Sequence, residues 1–143
     1  MWDFSNITEV TIDRPAKVVW PYLFRPHNDI WSRTAYTTTA GEPGKVGETY
    51  AMAFQYGGQL LFETITVDPV RRLVLKILQR ENANSKSTLV GYDFITLSEA
   101  AGKTKVMLQQ AFELPVEPET AKHDKFLYDI FQDLKTMVES ASK

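Results

Sequence analysis

The sequence predicts an α+β domain in which a curved antiparallel sheet of about seven strands wraps around one long C-terminal helix, with two short helices after the first strand. Three observations lead there. After Pro118, residues His123, Phe126, Leu127, Ile130, Phe131, Leu134, Met137 and Val138 recur at helical spacing, while Lys122, Asp129, Gln132 and Lys135 fall on the opposite face. Before that helix comes a series of segments that alternate apolar and polar residues, as half-buried strands do. The links between successive segments are short, which implies antiparallel neighbours.

The elements follow in order. The first strand is read over 7–13, with Thr8, Val10 and Ile12 on one face and Ile7, Glu9 and Thr11 on the other. Pro15 suits a helix start because it has no N–H to satisfy and its φ is already set. The short helix 16–24 packs Val18, Val19, Tyr22 and Leu23, and Pro21 shortens or bends it. Pro26 separates a second short helix over 27–31. The run 37–40 is β-prone, and Gly41, Pro43, Gly44 and Gly47 make a turn-rich link. Strands are then expected over 48–55, 59–67, 73–78, 88–98 and 104–114, with Gly57-Gly58, Asp68-Pro69, the polar loop 81–86 and the turn 99–103 between them. Pro115 and Pro118 end the last strand and open the long helix.

A helix of about 22 residues is about 33 Å long, so it can run the length of a ten-residue strand. At about 10 Å wide, it cannot cover seven strands spaced about 4.8 Å apart. The sheet must curl, and a hollow is expected between the two layers. The inner face is read as Tyr50, Met52 and Phe54; Leu61, Glu63, Ile65 and Val67; Leu73, Leu75 and Ile77. The last two strands add Leu89, Asp93, Ile95 and Leu97, then Val106, Leu108, Gln110 and Phe112. In 88–98, Tyr92 and Phe94 compete with Asp93 and Ile95 for that face, because a bulge can exchange them.

Composition narrows the function classes. A chain of 143 residues suits one domain, 1–143, able to bury about 70% of its unfolded surface. The apolar share of 43% and charged share of 24% are those of an ordinary globule. Sixteen basic and eighteen acidic residues give a net charge of −2 with no basic face, which argues against nucleic acid as a partner. The absence of cysteine removes disulfides, thiolate metal sites and a cysteine nucleophile. No run approaches the ~20 apolar residues of a membrane span. The N-terminal residues lack the basic start and apolar core of a signal peptide, so a cytoplasmic location is the expectation. A homodimer through an edge strand is possible but has no support in the residues.

The run Ile12-Asp13-Arg14-Pro15-Ala16-Lys17-Val18-Val19-Trp20, Trp31 after the second short helix and the glycine-bearing turn 41–47 form a recognisable series. It continues through the corner Val67-Asp68-Pro69-Val70-Arg71-Arg72-Leu73, the hairpin 97–106 with Gly102-Lys103-Thr104, and the closing helix at Leu134-Lys135 to Glu139. In this order the chain resembles the SRPBCC superfamily (START, polyketide cyclase and birch-pollen-allergen relatives), in particular its polyketide cyclase/dehydrase and heat-shock-chaperone ATPase activator-like groups. Some activator-like members carry Trp in the final helix where this chain has Leu127, which counts against that branch. The resemblance implies the helix-grip fold and binding of a small apolar or amphipathic molecule. It leaves the chemistry open, because members range from carriers to cyclases.

Two carboxylates carry the candidate chemistry. Glu63 lies between Leu61 and Ile65 on the face read as inner, where an isolated carboxylate is costly and its pKa should rise. It could then move a proton on a carbonyl-bearing ligand. Alternatively it is paired, or the strand presents its other face. Asp93 has the same logic. Gln110 and Tyr50 would orient a ligand oxygen or bond internally. The apolar lining is read as Trp31, Met52, Phe54, Leu61, Ile65, Leu75, Ile77 and Leu108, closed from the helix by Leu127, Ile130 and Phe131; each could equally be plain core. His123 reads as a partly exposed residue near the helix start. No metal or other cofactor is expected: His27 and His123 are the only histidines, and nucleophile, phosphate-loop and dinucleotide motifs are lacking. Binding is therefore the leading expectation, with a cyclase- or dehydratase-like proton-transfer enzyme and a chaperone-interacting module as alternatives.

Overall fold

The computed structural model describes the backbone of residues 2–23, 34–42, 44–54, 59–82, 85–114 and 120–141, and the side chains of 5–23, 37–42, 44–53, 59–79, 91–111, 124–125 and 127–141. Strand β1 (Trp2–Ile12) leads to helix α1 (Ala16–Val19), which passes directly into a 3₁₀ turn, Trp20–Leu23. Pro21 has no N–H to give to a carbonyl four residues back, so the α-helix stops where it does. The second short helix expected at 27–31 lies outside the described residues. Six strands follow: β2 (Thr34–Ala40), β3 (Thr49–Phe54), β4 (Gln59–Asp68), β5 (Arg72–Asn82), β6 (Ser85–Ala100) and β7 (Lys103–Leu114). Helix α2 (Thr120–Ala141) closes the chain with 22 residues.

The strands form one antiparallel sheet in the order β1-β7-β6-β5-β4-β3-β2. β2 to β7 is a simple meander. The chain thus starts at one edge, crosses to the other between β1 and β2, and returns strand by strand until β7 pairs with β1 from Trp2↔Leu114 to Ile12↔Thr104. β5 and β6 are longer than expected. Within the stretch 81–86, read as loop from composition, Glu81 pairs with Lys86 and Asn82 with Ser85, so the hairpin extends into it.

Tight turns set the meander. Arg71 N–H donates to Asp68 C=O at 3.0 Å across Pro69 and Val70, and Val70 has φ +69°. The β6–β7 hairpin turns on Ala101 and Gly102, at φ +54° and +75°. Two positive φ values in a two-residue loop are those of a type I′ turn, whose twist matches the strands.

The corner after β1 is clamped to the end of α2. Asp13 N–H donates to Glu139 Oε2 at 2.8 Å, and Arg14 Nη2 to Glu139 C=O at 2.6 Å. Lys135 Nζ bridges Glu139 Oε2 (2.6 Å) and Thr11 C=O (2.8 Å). These bonds hold Glu139 below its ordinary pKa, the Asp13 N–H first and Lys135 second. Pro15 has no side chain to cap α1, so Glu99 of β6 accepts the Ala16 N–H at 2.7 Å instead.

Two apolar clusters result. In the first, Leu127, Ile130, Phe131, Leu134 and Val138 of α2 meet Val10, Ile12, Val19, Leu23, Val106 and Leu108. The second lies over β3 to β5 and consists of Tyr50, Phe62, Leu73, Leu75 and Ile77. Among the strands, α2 packs chiefly against β1, and no described α2 residue belongs to the second cluster.

Candidate functional site

The inner face of the sheet follows from cross-strand register, because directly opposed residues share a face. Thr8, Leu108, Ile95, Leu73 and Val67 form one row across β1, β7, β6, β5 and β4. One step along the strands, Asn6, Gln110, Asp93, Leu75 and Thr64 form the next. A third runs through Gly91, Ile77, Phe62 and Tyr50.

The middle row is polar in β6 and β7, between the central β5 and the edge strand β1. Asp93 is 7% exposed and Gln110 6%. Gln110 Nε2 donates to Asp93 Oδ1 at 3.0 Å. Burial, opposed in part by this hydrogen bond, pushes the Asp93 carboxyl up from 3.8 to about 7. Thr64, 3% exposed, ends the row. Gly91 is buried beside Asp93 on the same face and puts no side chain there.

Of the expected lining, Tyr50, Leu75, Ile77, Leu108 and Gln110 are buried on the inner face, and Met52 packs against the second cluster. Leu127, Ile130 and Phe131 are buried on α2. Asp93 and Ile95 take the inner face of β6, while Phe94 is 37% exposed, so the open choice in that strand resolves toward the carboxylate. Phe54 lies in β3 with its side chain outside the described residues, and Trp31 lies outside them altogether.

The facing of β4 corrects the expectation for Leu61, Glu63 and Ile65. Phe62 and Thr64 point inward, at 3% exposure each, whereas Ile65 is 36% exposed and Leu61 and Glu63 are half-buried on the outer face. Both parities of this strand carry large apolar residues, Leu60 and Phe62 against Leu61 and Ile65, so alternation alone does not choose. Tertiary contact does: Tyr50 opposes Phe62 and stacks on it at 5.4 Å between ring centroids. A bulge between Thr64 and Thr66 then shifts the parity, and Val67 packs inward as expected. Glu63 is therefore removed from the interior, and its Cα partners are Thr49 and Lys76.

Residue-type patterns also passed over Glu48. It is 2% exposed, accepting from Gly44 N–H and from Thr38 Oγ1, each at 2.8 Å. This carboxylate fastens the glycine turn to β2 and holds a structural place. Among the described residues no group of three His, Asp or Glu is placed to hold a metal ion. Among the described residues no helix is long and apolar enough to cross a membrane, a statement that does not extend to strands.

No family model matches the chain, and no curated protein matches it in sequence. Solved structures do match in shape. A protein of the dynemicin biosynthetic locus superposes with TM-score 0.73 at 17% identity over 96% of this chain and 48% of its own, so the chain spans about half the length of that relative. Ginseng (Panax ginseng) major latex-like protein 151 gives 0.75 at 16% identity over 94% of this chain and 97% of its own. The Mll3558 protein of Rhizobium loti gives 0.76 at 13%, over 94% and 96%. At these identities the likeness is one of fold. It is the helix-grip fold that the sequence resemblance implies.

Proposed function

We propose that this chain, as one helix-grip unit, binds a small apolar or amphipathic molecule between the inner face of the sheet and α2. The observation that carries this reading is the divided interior. A solid domain usually has one contiguous core with smaller satellite clusters beside it. Here the described apolar residues fall into two clusters, with Trp20 and Ile95 packed against both and a buried polar pair on the same sheet face. The fold supports it, since the superfamily resemblance implies small-molecule binding.

The test is direct. Native mass spectrometry of the purified protein should show a co-purifying lipophile, and a neutral naphthalene fluorophore should bind saturably at one site. Ile95→Trp, which fills the join between the clusters, should weaken that binding. If the fluorophore shows no saturable binding and no extra mass is found, the proposal fails.

A second reading has one observation in its favour. A buried carboxyl that titrates near 7 is poised for general acid–base work. In this reading Asp93 moves a proton on a carbonyl-bearing guest, and Asp93→Asn abolishes turnover while the guest still binds. Equal turnover in the variant would discard it.

A further inference from the structure

Resting on the binding reading above, we infer that Asp93 and Gln110 anchor a neutral hydrogen-bond acceptor of the guest, a ketone, ester or lactone carbonyl oxygen, while the flanking apolar rows take its hydrocarbon. The pair sits in the two strands β6 and β7, away from both sheet edges. Leu108, Ile95 and Leu73 flank it on one side, and Ile77, Phe62 and Tyr50 on the other. Polar groups in such a place cost stability unless their bonding capacity is used. One carboxyl oxygen takes the Gln110 bond; among the described residues the other has no hydrogen-bond partner. Gly91, two residues before Asp93 on the same face, adds no side chain beside it.

The chemistry of the surroundings selects the guest group. In its own row Asp93 meets Gln110 and Leu75, with Asn6 and Thr64 beyond; none of these titrates in water's ordinary range. Lys76 of β5 and Tyr92 of β6 alternate to the opposite face of the sheet. The buried α2 residues Leu127, Ile130, Phe131, Leu134 and Val138 carry no charge. Burial first, and the Gln110 amide second, act on the carboxyl. A carboxyl so placed stays protonated up to about neutral pH and offers an O–H. An anionic guest would find no cation there, and a cationic guest would have to shed its water for a single acid that is neutral beforehand. A neutral acceptor matches the O–H without either cost. It also follows that the anchor weakens as the carboxyl ionises.

The experiment uses three probes on the intact chain: a neutral propionyl-dimethylaminonaphthalene, its propyl analogue lacking the ketone, and decylamine as the cation. Affinities are measured from pH 5 to pH 9 for wild type, Asp93→Asn and Asp93→Leu. The ketone probe should lose affinity by about tenfold or more over this range, as the protonated fraction falls about tenfold per pH unit above the pKa. The propyl analogue should be unmoved by pH. In Asp93→Asn, which keeps a donor, the ketone should bind without pH dependence; in Asp93→Leu it should bind no better than the propyl analogue. Decylamine affinity that climbs with pH and outstrips the ketone overturns the inference in favour of a cation site, as does ketone binding indifferent to pH in wild type. Should the propyl analogue bind while the ketone gains nothing, the anchor alone is wrong. Should neither naphthalene bind wild type, the binding reading itself falls.

Discussion

Asp93→Asn is expected to stabilise the protein at neutral and alkaline pH, by an amount set by how far burial has moved the carboxyl. In the unfolded chain Asp93 ionises at its ordinary 3.8, and in the fold at about 7. Between these values the folded state holds a proton that the unfolded state has released. Wild-type stability therefore falls with rising pH across this window and levels off above it. Each unit corresponds to 1.36 kcal/mol, so a shift of about three units disfavours the fold by about 4 kcal/mol above neutrality. Asparagine keeps the shape and an oxygen for the Gln110 amide, but has no charge to bury. The advantage of the variant should then be small at pH 3, where Asp93 is largely protonated in both states. By pH 5 a little over one unit has been lost, and the remaining two units make the advantage at pH 8 greater by about 2.7 kcal/mol. Urea denaturation of both proteins at pH 5 and pH 8, compared at unchanged m-value, reads this difference directly. An advantage that is the same at both pH values would refute the reasoning, because it would mean that the carboxyl is not raised by the fold.

Further outcomes are expected elsewhere in the chain. Phe62→Ala should cost about 3–5 kcal/mol, since it removes the ring stacked on Tyr50 and opens the second cluster; a loss below about 1 kcal/mol in urea titration would return β4 to the opposite facing. Val70→Asn and Ala101→Asn should each raise stability by about 0.5–1 kcal/mol, because both positions hold a positive φ that asparagine tolerates better, and unchanged or lower melting temperatures would count against the turn assignments. Gly41→Ala should destabilise by more than about 1 kcal/mol: its φ is +82° and an added Cβ would stand 2.8 Å from Glu48 Cα, so a neutral result in thermal melts would contradict the packing of this turn. Glu139 is held below its ordinary 4.5, so its contribution is present above that value and lost as pH falls through the lowered one. Glu139→Gln should accordingly cost under about 1 kcal/mol at pH 7 and nothing in strong acid, as a salt-screened, half-exposed clasp would.

Much of the architecture was legible because its signals are local. The apolar stripe of α2, Pro15 before α1, and the turn residues between strands each act over a few positions, and the order of elements follows from them. The inner residues of β7, Val106, Leu108 and Gln110, were also legible, since Lys105 and Gln109 mark the other face and Met107 is the one apolar residue between them. β4 was not. Its two faces are nearly equal in hydrophobic area, and the deciding contact is Tyr50 against Phe62, which requires the register of β3 on β4. Glu99 serving Ala16, and Glu139 serving Asp13, lie 83 and 126 residues from their partners and leave no local trace.

What the sequence by itself determined is the set of elements: seven strands, a broken short helix, and a long amphipathic helix at the end. Periodicity and turn chemistry are properties of neighbouring residues, so they survive without knowledge of the fold. The tertiary structure decided the closure of β1 on β7, the parity of β4, and which acid went inside. Burial belongs to no residue alone, since it depends on what stands opposite. Hence Glu63, flanked by Phe and Thr, lies on the outer face, and Asp93, flanked by Tyr and Phe, is a carboxyl kept from water.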